Sequence, residues 1–148
     1  MCRQKARPYL FSNTIAPPVV AGVIKVLEIL SASTDRRDKL EKNTEFWRKG
    51  LIDAGLIIKA GDTPIVPVML FNAKLAQDVS RDLYEEGIYA IGFFFPVVPQ
   101  GQARIRTQIS AGHEIHHLEK ALEAFKKVGK KYDILGKSKQ EIIERYGM

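Results

Sequence analysis

Short apolar segments of this chain come in pairs between longer segments with helical spacing, and this pairing limits the folds open to it. Residues 56–58 and 65–71 form the first pair, and residues 88–94 and 103–109 form the second. Parallel strands need a crossover after each strand, whereas paired strands join through a turn or short loop. The order predicts an α+β domain with a mostly antiparallel sheet and helices on one face. Pro67 lies within the second segment, so we expect that strand to be distorted or at an edge.

Two helices are expected before the first strand pair. Pro17 and Pro18 suit a first helical turn, where a missing N–H costs nothing. The residues expected on the buried side of this helix are Val20, Val23, Ile24, Leu27 and Leu30. Ser33 or Thr34 is the expected cap of a second helix. The residues that recur at helical spacing there are Leu40, Thr44, Trp47 and Leu51.

Capping residues mark the remaining helix ends. Gly55 and Gly87 follow helical segments and are expected in the left-handed cap position. Asn72 is the expected N-cap of a third helix. A long final helix is indicated by Leu118, Ala121, Leu122, Phe125 and Val128. Ser138 and Glu141 have the spacing of a capping box and predict a short extra helix after it.

Charge and cysteine content exclude some classes of function. The net charge is +6, and residues 126–148 hold seven Lys or Arg against three Asp or Glu. The excess is therefore local, which favours a solvated helix face over a nucleic-acid groove across the fold. No apolar run approaches the roughly 20 residues of a membrane span. A lone cysteine, Cys2, cannot form an internal disulfide, so we expect a cytoplasmic protein.

The most informative polar pattern follows a proline-rich loop at residues 96–101. In a strand alternate residues share a face, so Arg104, Arg106 and Gln108 point one way, and the residues between them point toward the helices. Two guanidinium groups beside a stiff loop suit a carboxylate, which arginine grips with two parallel hydrogen bonds. The spacing alone also fits a pair of solvated surface arginines.

Two further clusters are weaker. Ser12, Asn13 and Thr14 precede the Pro17 helix, where hydroxyl and amide donors suit a phosphate or serve as plain caps.

Three histidines, His113, His116 and His117, lie before the final helix. The i, i+3 pair of His113 and His116 has a spacing that metal ligands use. No carboxylate or thiol completes a familiar metal motif, so exposed or capping histidines are expected, and no metal.

Two of these segments together resemble one known family. Arg-Pro-Tyr-Leu-Phe-Ser-Asn-Thr at 7–14, with Ala-Pro-Pro at 16–18, is similar to a stretch of the α-oxoamine synthases, which use pyridoxal phosphate (PLP). Pro-Val-Val-Pro-x-Gly-x-x-Arg-x-Arg at 96–106 resembles their C-terminal signature. The variant Gly-Gln-Ala-Arg-Ile-Arg-Thr-Gln-Ile-Ser at 101–110 is most similar to the members that use glycine and acetyl-CoA. The resemblance covers about residues 3–135.

The resemblance implies an aspartate-aminotransferase-type fold. It assigns residues 1–32 to the end of a large domain and a linking helix, and residues 33–135 to the small C-terminal domain. Residues 136–148 remain as an extra helical tail. The large-domain core, with the lysine that bonds PLP, has no counterpart in the chain. We therefore expect no catalytic residue in this chain and no PLP bound by the chain alone.

The same resemblance implies roles for individual residues. Arg106 binds the carboxylate of the amino-acid substrate, and Arg104 supports it or the strand. Ser12 and Asn13 reach the phosphate of the PLP in a neighbouring subunit, which implies a homodimer. The implied reaction transfers acetyl from acetyl-CoA to glycine, giving 2-amino-3-oxobutyrate and CoA in threonine and glycine metabolism.

Three alternatives stay open. Within the family, the synthases that join alanine to a long acyl-CoA in biotin synthesis share the arginine pattern. From another class, a non-catalytic basic module would bind an anionic polymer or a partner protein. A truncated paralogue that pairs with a full-length subunit is the third.

Overall fold

The computed structural model describes residues 1–8 and 14–147, which divide into two compact units, Met1–Asp35 and Arg36–Met148. The first unit holds helices α1 (Cys2–Lys5) and α2 (Pro17–Ala32). Helix α3 (Asp35–Asp53) begins at the boundary. The elements that follow are β1 (Ile65–Phe71), α4 (Ala73–Glu85), β2 (Ile91–Phe93), β3 (Ala103–Gln108), α5 (Ile115–Lys131) and α6 (Lys139–Tyr146).

The three strands form one antiparallel sheet in the order β1-β3-β2. The α+β class with an antiparallel sheet, predicted from the paired strands, is confirmed. β1 is the first strand in this order, and its ladder with β3 shifts register between Met69 and Phe71, a distortion of the kind that Pro67 predicts. On its other side the Met69 amide donates to the Ile57 carbonyl, and the Lys59 amide donates to the Pro67 carbonyl. β2 packs closely against α4. A Cβ added to Gly92 would lie 3.0 Å from the Ala76 carbonyl oxygen, which shows how near the two backbones are.

The core of the second unit lies between the sheet and helices α3, α4 and α5. Leu75, Val79 and Leu83 of α4 are buried, and so are the residues predicted at helical spacing in α5, apart from the half-buried Ala121. Trp47 of α3 is 2% exposed and meets Phe125 of α5 edge-on, with ring centroids 5.5 Å apart. Such aromatic pairs stabilise a core beyond the area that they bury.

Four of the predicted helix ends are observed. Asn72 accepts a hydrogen bond from the Leu75 amide as the cap of α4. Ser138 and Glu141 form the capping box that begins α6. Gly55 and Gly87 both have positive φ. At Gly55 a side chain is also excluded sterically, since a Cβ would lie 2.5 Å from the Gly136 amide nitrogen.

Two predicted strands are shorter than the sequence indicates. Residues 56–58 contribute only an isolated bridge between Ile58 and Val68, beside β1. The predicted strand 88–94 is reduced to Ile91–Phe93. Its first part turns away from β3, and the Ser80 hydroxyl donates to the Ala90 carbonyl, which holds that segment on α4.

The prediction of a buried side for α2 is wrong for this structure. No residue of α2 is buried, and Val20, Val23, Ile24, Leu27 and Leu30 are all exposed. Large aliphatic residues cover most of the circumference of this helix, apart from the side that carries Lys25 and Glu28, and so wide an apolar surface is typical of helices enclosed by a larger protein. The described part of its own unit offers only the four-residue α1, which is too short to cover it.

No single helix of the described chain is both long and apolar enough to span a membrane. One bent pair, α2 with α3, meets that test by length and composition only.

Candidate functional site

Strand β3 separates a buried face from an open one. Ala103, Ile105 and Thr107 are buried toward the helices. Arg104 is half-buried and Arg106 is exposed on the opposite face. The two arginines therefore share one face of the strand, as the alternation predicts.

A hydrogen-bond chain fixes β3 from its buried side. The Trp47 indole N–H donates to the Thr107 hydroxyl oxygen at 2.9 Å. The same hydroxyl donates to the Val66 carbonyl of β1 at 2.6 Å. Both groups are buried, so neither exchanges its partner for water without cost. This chain ties α3, β3 and β1 together at the residue next to Arg106.

The open face around Arg106 is mostly apolar. In the ladders Arg106 pairs with Pro67 of β1 on one side and with Ile91 of β2 on the other. The Arg106 guanidinium carbon lies 5.5 Å from the centroid of the Phe93 ring. Its Nη2 donates to the Gln108 Oε1 at 3.4 Å. A guanidinium over apolar neighbours is a suitable site for a carboxylate, because the neighbours compete little for its N–H donors.

The loop between β2 and β3 borders this face. Its Phe95–Pro96 peptide bond is cis, and the Val97 amide donates to the Phe94 carbonyl at 2.9 Å. Val98 is buried, whereas Phe95 and Val97 are exposed. The loop is thus anchored at its centre and presents apolar side chains beside the arginine strand.

A groove of about 720 Å³ runs from Arg106 past the end of the β2–β3 ladder to helix α5. Trp47 and Phe125 form part of its apolar wall. Its polar lining includes Arg106, Gln108, His113, His117 and Lys120. Arg106 and Lys120 are positively charged, and their presence in the lining favours an anionic group in the groove.

The histidines act as caps in the turn between β3 and α5. The His113 Nδ1 accepts from the Ser110 amide at 3.2 Å, and the His117 Nδ1 accepts from the Glu114 amide at 3.1 Å. Asn43 of α3 donates to the carbonyls of Ser110 and His113.

His113 precedes helix α5, so the i, i+3 pair with His116 is not a helical one. Within residues 1–8 and 14–147, no group of His, Cys, Asp and Glu side chains is arranged to hold a metal.

Ser12 and Asn13, the residues predicted to reach a cofactor phosphate, lie outside the described residues. The structure therefore places Arg104 and Arg106 together, and it leaves their relation to Ser12 and Asn13 a prediction.

Comparison with known proteins shows the family. The model of aminotransferase class I and II matches residues 2–125. The chain belongs to that family. The match includes both the arginine strand and the N-terminal segment that carries Ser12 and Asn13.

The chain is also similar to curated acyltransferases of this family. It is 49% identical over 133 residues to the 2-amino-3-ketobutyrate coenzyme A ligase of Escherichia coli. It is 44% identical over 133 residues to an 8-amino-7-oxononanoate synthase of Fervidobacterium nodosum. Each match covers 90% of this chain, and the chain spans about a third of the length of these relatives (33% and 34%).

Solved structures agree on the fold. The chain is similar to the serine palmitoyltransferase of Sphingomonas wittichii, with a TM-score of 0.83 and 27% identity, covering 90% of this chain and 34% of the other. A similar structure, with a TM-score of 0.84 and 27% identity, is described as SPT with a PLP internal aldimine; its match covers 90% of this chain and 34% of that one. The α+β unit is therefore a small domain of the aminotransferase-like fold, in a family of PLP-dependent enzymes.

The described residues do not fit the role of the lysine that bonds PLP. A lysine that forms such a bond needs a lowered pKa, usually through burial. No lysine among the described residues is buried. The hydrogen bond with the buried Asp82 raises the pKa of Lys131 instead. The described residues thus present two arginines on one face of β3 and no lysine suited to the cofactor bond.

Two parts of the site were not identified from sequence. Trp47 was assigned to the core from its spacing, and its hydrogen bond to Thr107 was missed. A buried indole N–H needs a partner, which is the signal that was available. Phe93 was assigned to a strand, but its contact with Arg106 depends on the register of β2 against β3.

Proposed function

We propose that this chain provides the amino-acid-binding part of a PLP-dependent acyltransferase. The reaction joins acetyl from acetyl-CoA to glycine and gives 2-amino-3-oxobutyrate and CoA. The 49% identity to 2-amino-3-ketobutyrate coenzyme A ligase supports this choice. Those relatives are about three times as long, so catalysis requires a large domain that carries the cofactor lysine. The assembly of this chain with that domain is called the complete enzyme below.

The position of Arg106 carries the proposal. Arg106 is exposed on a strand whose buried side is fixed by the hydrogen bonds that link Trp47, Thr107 and Val66. The neighbours of Arg106 on the adjacent strands are apolar. Glycine has no side chain to recognise, so its carboxylate is the main group available to orient it. A guanidinium binds a carboxylate in a two-pronged geometry that a lysine cannot reproduce.

The residues of the chain have positioning roles in this reaction. PLP, when bound, supplies the electron sink for the α-carbon of glycine. Arg106 holds the carboxylate and so determines which α-hydrogen is presented for removal. Arg104, half-buried on the same face, supports Arg106 or the strand. The loop at residues 96–101 borders the site for acetyl-CoA.

Assembly and location complete the proposal. Ser12 and Asn13 contact the phosphate of the PLP bound in the neighbouring subunit, which makes the complete enzyme a homodimer. Residues 1–32 end the large domain and link it to the small domain at 33–135, with an added tail at 136–148. The lone Cys2 suits the reducing cytoplasm.

A second candidate reaction is the condensation of alanine with a long acyl-CoA. It is favoured by the 8-amino-7-oxononanoate synthases among the relatives. A relative from Thermus thermophilus, 43% identical over 131 residues, carries both names. Residues that contact the acyl chain would separate the two, and the arginine strand is compatible with either.

The basic-module alternative is less well supported. Of the seven Lys and Arg in residues 126–148, five form ion pairs with acidic side chains of the same chain. These five are Lys126, Lys127, Lys131, Lys137 and Arg145. Paired cations leave little of the excess charge available for an anionic polymer.

Product analysis of the complete enzyme tests the proposal. Glycine with acetyl-CoA and alanine with a long acyl-CoA are supplied in separate reactions, and the products are identified by mass spectrometry. The proposal predicts the faster turnover for glycine with acetyl-CoA. Faster turnover of alanine with the long acyl-CoA supports the second candidate, and no turnover of either pair contradicts both.

A further inference from the structure

The aromatic ring of Phe93 lies where it can orient Arg106 without using its hydrogen-bond donors. The guanidinium carbon of Arg106 is 5.5 Å from the ring centroid, within the range of a cation–π contact. Phe93 pairs with Arg104 in the β2–β3 ladder, so it is a diagonal neighbour of Arg106 on the same face. Such a contact attracts the charge of the guanidinium and needs no lone-pair acceptor for its N–H donors.

The other contact of Arg106 is different in kind. Gln108 accepts a hydrogen bond from Nη2 at 3.4 Å and therefore occupies one donor. That bond is long, and both side chains are exposed. A carboxylate can replace Gln108 at this donor, whereas Phe93 accepts no hydrogen bond among the described contacts of Arg106 and so takes no donor from the carboxylate.

We propose that Phe93 is a positioning residue that holds Arg106 ready for the carboxylate of the amino-acid substrate. This inference rests on the proposed function. The ring restricts the orientations of a long exposed side chain before the substrate arrives, so less freedom is lost on binding. Phe93 therefore affects affinity for the amino acid and not for acetyl-CoA.

The test compares variants of the complete enzyme by calorimetric titration with glycine. Phe93→Leu should weaken glycine binding about two- to fivefold, the size expected for an exposed cation–π contact. Phe93→Tyr keeps a π-face and should bind normally. In an Arg106→Ala background, Phe93→Leu should cause no further loss. If Phe93→Leu does not fold, Phe93→Met gives the same comparison.

The outcomes separate this inference from the function beneath it. If Arg106→Ala weakens binding but loss of the Phe93 ring does not, Phe93 has no positioning role and the proposed function stands. Phe93 is likewise excluded from that role if its effect persists without Arg106. If Arg106→Ala binds glycine normally, the proposed function itself fails, and this inference fails with it.

A separate observation concerns helix α6, which lies beyond the residues that the family model matches. Its last residue is tied to the corner between β1 and α4, where the Asn72 Nδ2 donates to the Tyr146 carbonyl at 2.7 Å. The other amide atom of Asn72 caps α4. Ile142 is 3% exposed, and the Tyr146 hydroxyl donates to the Tyr132 carbonyl at 2.6 Å.

The corner that α6 contacts has an unusual backbone. Phe71 has φ of 64°, a left-handed conformation that costs energy for a residue other than glycine. The Nζ of Lys139 in α6 lies 5.5 Å from the centroid of the Phe71 ring. Phe71 also pairs with Ala103, the first residue of the arginine strand.

The geometry points to α6 as a helix that stabilises the corner between β1 and α4 through its hydrogen bond with Asn72. A matched substitution isolates the link. Asn72→Asp keeps an oxygen that can cap α4, loses the N–H donor to Tyr146 and places a carboxylate oxygen against the Tyr146 carbonyl. In the intact chain it should lower the melting temperature by at least about 2–4 °C, the effect of one lost hydrogen bond in a chain of this size.

Truncation after Lys137 removes α6, so the same substitution can be tested without the Tyr146 partner. In the truncated chain, Asn72→Asp should leave the melting temperature unchanged, because its partner is absent. An equal loss of melting temperature in both chains would show that Asn72 acts only within its own corner, and the proposed role of α6 would be rejected. If the truncated chain does not fold, Ile142→Ala loosens the same helix, and the effect of Asn72→Asp should shrink in that background.

Discussion

Helix α2 and the sheet unit are both rich in long aliphatic residues, yet they bury them to opposite extents. Leu70 in β1 is 0% exposed, whereas Leu27 in α2 is 58% exposed. In the sheet unit apolar residues alternate or recur at helical spacing, so each has a defined inner side. In α2 they cover every side except that of Lys25 and Glu28, so one covering layer cannot bury them all.

The difference shows which part of the chain buries its own apolar residues. The unit Arg36–Met148 encloses its own core with three strands and the helices packed on them. Helix α2 leaves an apolar surface open, and single-domain proteins rarely expose a contiguous patch of that kind. We therefore expect the two regions to respond differently to the same substitutions.

The largest expected effect is on stability within the sheet unit. Leu70→Ala should lower the free energy of unfolding of this chain by about 2–5 kcal/mol, because it leaves a cavity in a packed core. Leu27→Ala, the matched change in α2, should alter it by less than about 0.5 kcal/mol. Urea titration followed by circular dichroism measures both. Equal losses would show that α2 is packed as tightly as the sheet.

The next effect concerns association. The exposed side chains of α2 should make this chain self-associate, as measured by light scattering over a concentration series. Val23→Glu with Leu27→Glu places two charges on one side of α2 and should reduce the apparent mass. The control, Gln77→Glu with Gln140→Glu, adds the same charge at exposed positions of the other unit. An unmodified chain that remains monomeric contradicts this prediction.

A smaller effect is expected from the buried carboxylate of the sheet unit. The hydrogen bond from Lys131 lowers the pKa of Asp82 below its usual value of 3.8. A lowered pKa stabilises the fold above the usual value, and that stability is lost as the pH falls through the lower one. Lys131 is exposed, so Asp82→Asn should cost only about 1 kcal/mol at pH 7.

Measurement across pH identifies the source of that cost. The difference between the two proteins should begin to shrink as the pH falls through about 3.8, and it should disappear only below the lowered pKa of Asp82. Glu119→Gln, an exposed change on helix α5, which carries Lys131, should leave stability unchanged throughout. A cost of Asp82→Asn that is constant from pH 7 to pH 2 would assign it to packing.

The smallest expected effect is an absence of labelling. We predict that this chain alone forms no specific covalent bond with PLP, because none of its described lysines is buried and Lys131 is held protonated by Asp82. The chain is mixed with PLP, reduced with borohydride and mapped by mass spectrometry. Stoichiometric modification at one lysine would contradict the prediction, whereas weak labelling at several exposed lysines would not.

Local patterns predicted much of this fold. The alternation at Arg104 and Arg106, the cap at Asn72 and the capping box at Ser138 each depend on a few neighbouring residues, and all three are observed. The length of β2 was misjudged, because the bond between Ser80 and Ala90 joins segments that only the folded chain brings together.

The site, like the fold, could be predicted from the sequence only where it depends on neighbouring residues. A strand's period fixes which arginines share a face, but not what lies beside them. The Phe93 contact depends on the register of two strands, and the Trp47 bond depends on a helix crossing beneath the sheet. The exposure of α2 has another cause, since an apolar pattern indicates that a helix is to be covered but not by which part of a protein.

The central claim is that Arg106 binds the carboxylate of glycine. The most direct measurement is the dissociation constant for glycine of the complete enzyme with Arg106→Lys and with Arg106→Ala. A charge-assisted hydrogen bond contributes about 1.5–3 kcal/mol, or roughly tenfold to a hundredfold in affinity. Arg106→Lys should weaken binding, and Arg106→Ala should weaken it further.

Three controls restrict the interpretation. Arg36→Ala removes an exposed arginine far along the sequence from β3 and should change nothing. Arg104→Ala should act mainly on stability, and affinity for acetyl-CoA should change little in any variant. We predict a loss of glycine affinity that is specific to Arg106. If Arg106→Ala binds glycine as tightly as the unmodified enzyme, the assignment is wrong, and Arg104 and Arg106 are the solvated face of a strand.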